Sequence, residues 1–191
     1  TTNTGNGSRA WFGSGLITMA DGTLIYSNQD PAKTVSNNIY LSTGAAGVSS
    51  RDVTLSGKIS GPGALVVTAY GRWLALTNTG NDFQGGVIFR GTSANTLRIY
   101  YPNTMGTGTV TAEDNATIQA NAKLSAGVAN AVTINSGKTL TFSASSNTPL
   151  LWSGAIGGAG ALAKTDTGVM TLTGANDYSG GTTVNGGILT I

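Results

Sequence analysis

The sequence predicts an all-β fold, a single-stranded parallel β-helix (β-solenoid) of roughly 8–9 coils, with residues 1–191 forming one domain. Three observations carry that expectation. Helix signals are nearly absent, because 29 glycines interrupt the 191 residues every few positions, about twice the usual share. Short runs alternate apolar and polar residues. Long stretches of the chain also answer one another at a fixed spacing.

The alternating runs come in chain order as Ile39-Tyr40-Leu41, Val53-Thr54-Leu55, Leu74-Ala75-Leu76 and Thr117-Ile118-Gln119-Ala120. They continue with Val132-Thr133-Ile134, Leu140-Thr141-Phe142, Met170-Thr171-Leu172 and Leu189-Thr190-Ile191. Each sets apolar side chains two residues apart, the period of a strand with one dry and one wet face. Threonine at the wet positions favours strand over helix through its β-branch. Strands of three to five residues between Gly, Asn and Ser turns do not make stable hairpins alone, so they need many neighbours.

Repetition supplies the neighbours. Ser36 to Leu41 answers Asn130 to Ile134, and Leu55 to Leu65 answers Trp152 to Leu162, with Gly57 matching Gly154 at an offset of 97 residues. Asn81-Asp82-Phe83-Gln84-Gly85-Gly86 answers Asn176-Asp177-Tyr178-Ser179-Gly180-Gly181 at an offset of 95, so the first unit carries two extra residues between Ala69 and Thr79. The chain then divides into degenerate coils (1–35), a first unit (36–100), connecting coils (101–128) and a second unit (129–191). Strand triplets recur about every 20 residues, the size of one solenoid coil. Gly and Asn fall at the corners, where positive φ and rung-to-rung side-chain hydrogen bonds are expected.

Composition removes several function classes. Charged residues make up only 9%, and ten Lys and Arg lie scattered with no run of three, too sparse for a nucleic-acid footprint. No stretch of 18 apolar residues is present, so this segment inserts no helix into a membrane. Cysteine is absent, so stability is expected from repeated packing rather than disulfides. Residues Thr1 to Ser8 lack the pattern of a signal peptide, which fits a mature fragment of a larger protein.

The run Gly168-Val169-Met170-Thr171-Leu172-Thr173-Gly174-Ala175-Asn176-Asp177-Tyr178-Ser179-Gly180-Gly181-Thr182-Thr183-Val184-Asn185-Gly186-Gly187 resembles the passenger-associated transport repeat of autotransporters. Ser153 to Leu162 and Val132 to Leu140 fit the same pattern. Residues 129–191 resemble the family closely; 36–100 do so with departures at Phe83, Gln84 and Arg90. The resemblance implies a right-handed parallel β-helix outside the cell, secreted or held at the bacterial surface. It would be exported through a C-terminal membrane β-barrel lying beyond this fragment. It implies no shared ligand or reaction, because passengers use one scaffold for many tasks.

Catalysis finds little to stand on. Histidine and cysteine are both absent, which removes the common nucleophile triads and the usual zinc ligands. Glycine-rich Gly157-Gly158-Ala159-Gly160 reads as a solenoid corner, not a phosphate cradle. A polysaccharide-cutting β-helix would need carboxylates within ~5–10 Å of each other. The repeat-equivalent Asp82 and Asp177 lie four or five coils apart, about 20 Å. Asp52, Asp166, Glu113 and Asp114 sit at or beside turns, where Asp commonly caps backbone. Neither a cofactor nor a metal is expected.

Binding keeps two candidate groups. Arg72, Arg90 and Arg98 are additions to the first unit, where the second offers Val169, Asn185 and Thr190. Aligned on neighbouring coils they would form a stripe for an anionic glycan; scattered, they merely solubilise a face, the plainer reading. Trp73, Tyr100, Tyr101 and Tyr70 would stack sugar rings, against the plainer reading that they fill or cover packing. Phe83 and Tyr178 occupy equivalent positions, which points to packing, and Trp11-Phe12 would cover the first coil. The expected function is therefore a non-catalytic extracellular stalk or adhesin segment. The alternatives are a glycan-binding module and a filament subunit, with host or matrix glycans, proteins or copies of itself as partners.

Overall fold

The computed structural model describes residues 11–27, 33–68, 72–91 and 95–191. Among the described residues there are 23 strands and no helix, and the strand pairs are all parallel. The chain opens with β1 (Trp11–Ser14). The largest sheet has eight strands, with β4 (Lys33–Val35), β7 (Val53–Leu55), β10 (Trp73–Leu76) and β12 (Asn95–Ile99) in its first half. Its second half is β14 (Ala116–Ala120), β17 (Thr139–Ser143), β20 (Ala161–Thr165) and β22 (Thr182–Val184). A seven-stranded sheet runs β3 (Leu24–Ser27), β6 (Ala45–Ser50), β9 (Ala64–Val67), β11 (Val87–Phe89), β13 (Val110–Ala112), β16 (Val132–Ile134) and β19 (Ile156–Gly158). Early coils add a sheet of β2 (Ile17–Met19), β5 (Ile39–Leu41) and β8 (Ile59–Ser60). Late coils add one of β15 (Leu124–Val128), β18 (Leu150–Trp152), β21 (Val169–Leu172) and β23 (Ile188–Thr190). The chain visits one sheet after another, then returns one rung higher, which makes the parallel β-solenoid the sequence predicts.

The eight-stranded sheet sets the count at about seven turns, fewer than the 8–9 expected. The reason is coil length. Lys33 pairs with Val53 at an offset of 20 residues, but Leu74 pairs with Leu97 at 23 and Ile118 with Phe142 at 24. Each residue added at a corner lengthens a coil without adding a rung. Seven spacings of ~4.8 Å give a rod of about 34 Å along this sheet.

Alternation builds the core. In the eight-stranded sheet one inward column runs Val53, Leu74, Leu97, Ile118, Phe142 and Lys164, and the next runs Leu55, Leu76, Ile99 and Ala120. All but Lys164 are apolar and buried. In the seven-stranded sheet Ala46, Leu65, Val87, Val110, Val132 and Ile156 form a matching column. Phe142 meets Trp152 edge-on, ring centres 4.9 Å apart, so aromatics fill part of the core of the late coils. Phe83 is fully buried and Tyr178 packs partly buried against the core, which agrees with their reading as packing residues.

Corners turn backbone carbonyls inward, and asparagines satisfy them from the neighbouring rung. Asn37 Nδ2 donates to the Gly13 and Gly15 carbonyls at 3.1 and 2.7 Å, and Asn130 Nδ2 to those of Gly106 and Gly108 at 3.2 and 2.9 Å. Asn81 bridges two rungs, accepting from Ile59 N and donating to the Thr104 carbonyl. Gly57 and Gly154 stack directly over the carbonyls of Asn37 and Asn130, where a Cβ would overlap the oxygen. Glycine is required at both places by close approach rather than by φ.

Candidate functional site

The outward face of the eight-stranded sheet mirrors its core. One outward column pairs Trp73, Thr96, Thr117, Thr141, Ala163 and Thr183; the other pairs Thr54, Ala75, Arg98, Gln119, Ser143 and Thr165. Here β10, β12, β14 and β17 form a groove of about 210 Å³ lined by Arg72, Trp73, Thr96, Arg98, Thr117, Gln119 and Ser143. The structure thus brings together three of the residues singled out in the sequence: Arg72, Trp73 and Arg98. Parallel register does this, because Trp73 stands beside Thr96 and Ala75 beside Arg98 on adjacent rungs.

Arg98 is fixed by two contacts. Its guanidinium carbon lies 4.4 Å from the Trp73 ring centre, a cation–π stack, and its Nε donates to Gln119 Oε1 at 2.7 Å. Arginine has only donors, so Gln119 must present its carbonyl to Arg98, which leaves the amide NH₂ of Gln119 as a donor elsewhere. Trp73 is half-buried under this guanidinium, not in the core. Arg72 reaches the other way, pairing Nη1 with Asp52 Oδ2 at 2.6 Å. Asp52 is buried and holds a positive φ of 59°, a conformation Asp tolerates better than most residues.

The remaining candidates lie elsewhere. Arg90 is at a corner after β11, where its Nε and Nη2 grip both carboxylate oxygens of Glu113 at 2.7 and 3.1 Å. Its neighbour Asp114 binds Lys138 Nζ and the Gly91 amide, which hold that carboxyl below its usual range. The Tyr100 hydroxyl accepts from Asn121 Nδ2 at 2.8 Å, and Tyr101 stands 48% exposed; neither lines the groove. Phe12 is exposed rather than covering a coil; the side chain of Trp11, and Tyr70, lie outside the described residues. Thr96, Thr117, Gln119 and Ser143 were not singled out, although their place as wet residues of alternating runs is the signal that finds them once the register is known.

A second unusual group is internal. Lys164 occupies the inward column after Phe142, fully buried, and its Nζ donates to the carbonyls of Thr165, Asp166 (3.0 Å) and Gly186 (3.3 Å). Burial lowers its pKa, with nearby Asp166 opposing. Asp166 itself holds a φ of 62° and accepts from the Ser143 hydroxyl. Nothing in this arrangement offers a nucleophile to solvent. Among the described residues no cluster of three or more metal-ligating side chains occurs.

Comparison with known proteins agrees with this geometry. Residues 162–191 match the model of the passenger-associated transport repeat. The adhesin BmaC autotransporter of Brucella suis biovar 1 (strain 1330) is 31% identical over 185 residues, which cover 91% of this chain. The chain spans only about 5% of that relative's length. No solved structure matches the chain. A rod of stacked parallel rungs that carries such a repeat, and that aligns along most of its length with an autotransporter, is similar to the extracellular passenger segments of autotransporters.

Proposed function

We propose that this segment is a non-catalytic rod that spaces and presents adhesive surface outside the cell. The observation that carries the reading is the uninterrupted stack, in which every rung of the eight-stranded sheet repeats the same inward and outward columns. Such a scaffold gives reach and a continuous flank. That the similar Brucella protein is an adhesin supports the adhesive half of the proposal.

Deleting one coil tests it. Removal of residues 140–161 joins Thr139 to Leu162, the residue paired with Leu140 on the next rung. The rod should fold, shorten by ~4.8 Å in solution scattering, and remain displayed on cells. Loss of a hydrolytic or eliminative activity toward surface polysaccharide on that deletion would overturn the proposal.

A further inference from the structure

We propose that the groove across β10, β12, β14 and β17 is a binding site for a carboxylate-bearing oligosaccharide, with Arg98 as its anion anchor. The inference rests on the adhesive reading above and supplies the ligand chemistry that it leaves open.

Charge comes first. Among the described residues the ionisable groups lining the groove are Arg72 and Arg98, and the carboxylates next to that lining, Asp52 and Asp166, are engaged by Arg72 and by the Ser143 hydroxyl. Arg72 is engaged by Asp52, which leaves Arg98 as the principal attraction. The Arg98 plane is held by Trp73 on one face and by Gln119 at Nε, while its two terminal nitrogens donate to no acceptor among the described residues. A half-buried guanidinium already locked in orientation, with its terminal donors unused, is matched by a planar carboxylate.

The floor decides between classes of anion. Thr96 and Thr117 line the groove side by side on adjacent rungs, and neither hydroxyl has a protein partner among the described residues. The Gln119 amide adds free donors. Unused hydroxyls and amides suit a ligand rich in hydroxyls; the groove has no apolar side chain besides Trp73 to seat a peptide's side chains. The Trp73 face is already covered by Arg98, so stacking of a neutral ring, the usual aromatic contribution to sugar binding, is blocked there. An acidic sugar is favoured over a neutral one for that reason. Four rungs span three spacings, about 14 Å, which takes a short oligosaccharide rather than one ring.

The experiment measures binding of the full chain to short galacturonate and glucuronate oligosaccharides, to their methyl esters, and to an oligoglutamate of equal charge. The acidic sugars should bind. Methyl esterification or Arg98→Gln should each weaken binding by roughly tenfold or more, and Arg98→Lys should also weaken it, because a point charge lacks the fork. Arg90→Gln, at the Glu113 pair outside the groove, should leave binding unchanged. Failure to bind any acidic sugar, binding that survives Arg98→Gln, or equal affinity for oligoglutamate would each overturn the site. The 140–161 deletion leaves every lining residue except Ser143 in place. A rod that shortens normally while sugar binding fails would therefore overturn this inference and spare the proposed function.

Discussion

Between β10 and β14 the eight-stranded sheet is ordinary inside and unusual outside; between β17 and β22 the pattern is reversed. In the first stretch the inward column is Leu74, Leu97 and Ile118, while the outward columns carry Trp73 and Arg98. In the second the outward residues are Thr139, Thr141, Ser143, Ala161, Ala163 and Thr165, small side chains throughout, and the inward column instead admits Lys164. The backbone register is the same in both. An outward change alters what the rod presents to other molecules at little cost. An inward change is tolerated only where the coil supplies partners for it, as the Thr165, Asp166 and Gly186 carbonyls do for Lys164.

The largest test of that difference moves the lysine. Leu97→Lys places an ammonium in the same column but between Leu74 and Ile118, both fully buried aliphatics. Loss of a buried Leu together with an unpaired buried charge should cost at least about 4 kcal/mol in denaturant unfolding. A variant melting with the wild-type midpoint would show that the interior is not dry at that rung.

A smaller effect tests Lys164 where it stands. Its lowered pKa means that the folded chain releases the proton before the unfolded chain, whose lysine titrates near ~10.4. Between those two values the unfolded state binds more protons, so stability should rise with pH across the window and level off above it. Lys164→Met should flatten that rise. Unfolding measured from neutral to alkaline pH checks it, and an identical slope in both proteins would place the lysine in solvent.

These contrasts also mark what was legible in the sequence. Runs such as Ile39 to Leu41, Val53 to Leu55 and Val132 to Ile134 are strands β5, β7 and β16, because one dry and one wet face fixes a period of two wherever the chain is flanked by turns. Gly57 and Gly154, equivalent in the repeat, meet equivalent carbonyls. Register was not legible, since offsets of 20 to 24 residues depend on corner lengths that alternation does not encode. The groove followed the same rule. Arg72, Trp73 and Arg98 converge because β10 and β12 pair in register, whereas Arg90 stands on a corner and finds Glu113 instead. Lys164 is not legible as a core residue, because Ala161-Leu162-Ala163-Lys164-Thr165 shows a polar residue at an inward position and the carbonyls that accept it come from a corner and from the next rung.

The smallest expected effect makes the first stretch resemble the second on its outer surface. Trp73→Thr extends the threonines of Thr96, Thr117 and Thr141 by one rung, in a backbone that already accepts threonine throughout that column. What is lost is the contact with Arg98 and the area a half-buried indole covers, together about 1 kcal/mol. The core column behind it, Leu74 to Phe142, is untouched, so cooperativity and the length of the rod should not change. A loss several times larger would mean that the tryptophan braces the coil, and the outside of this sheet would then be no freer to vary than its interior.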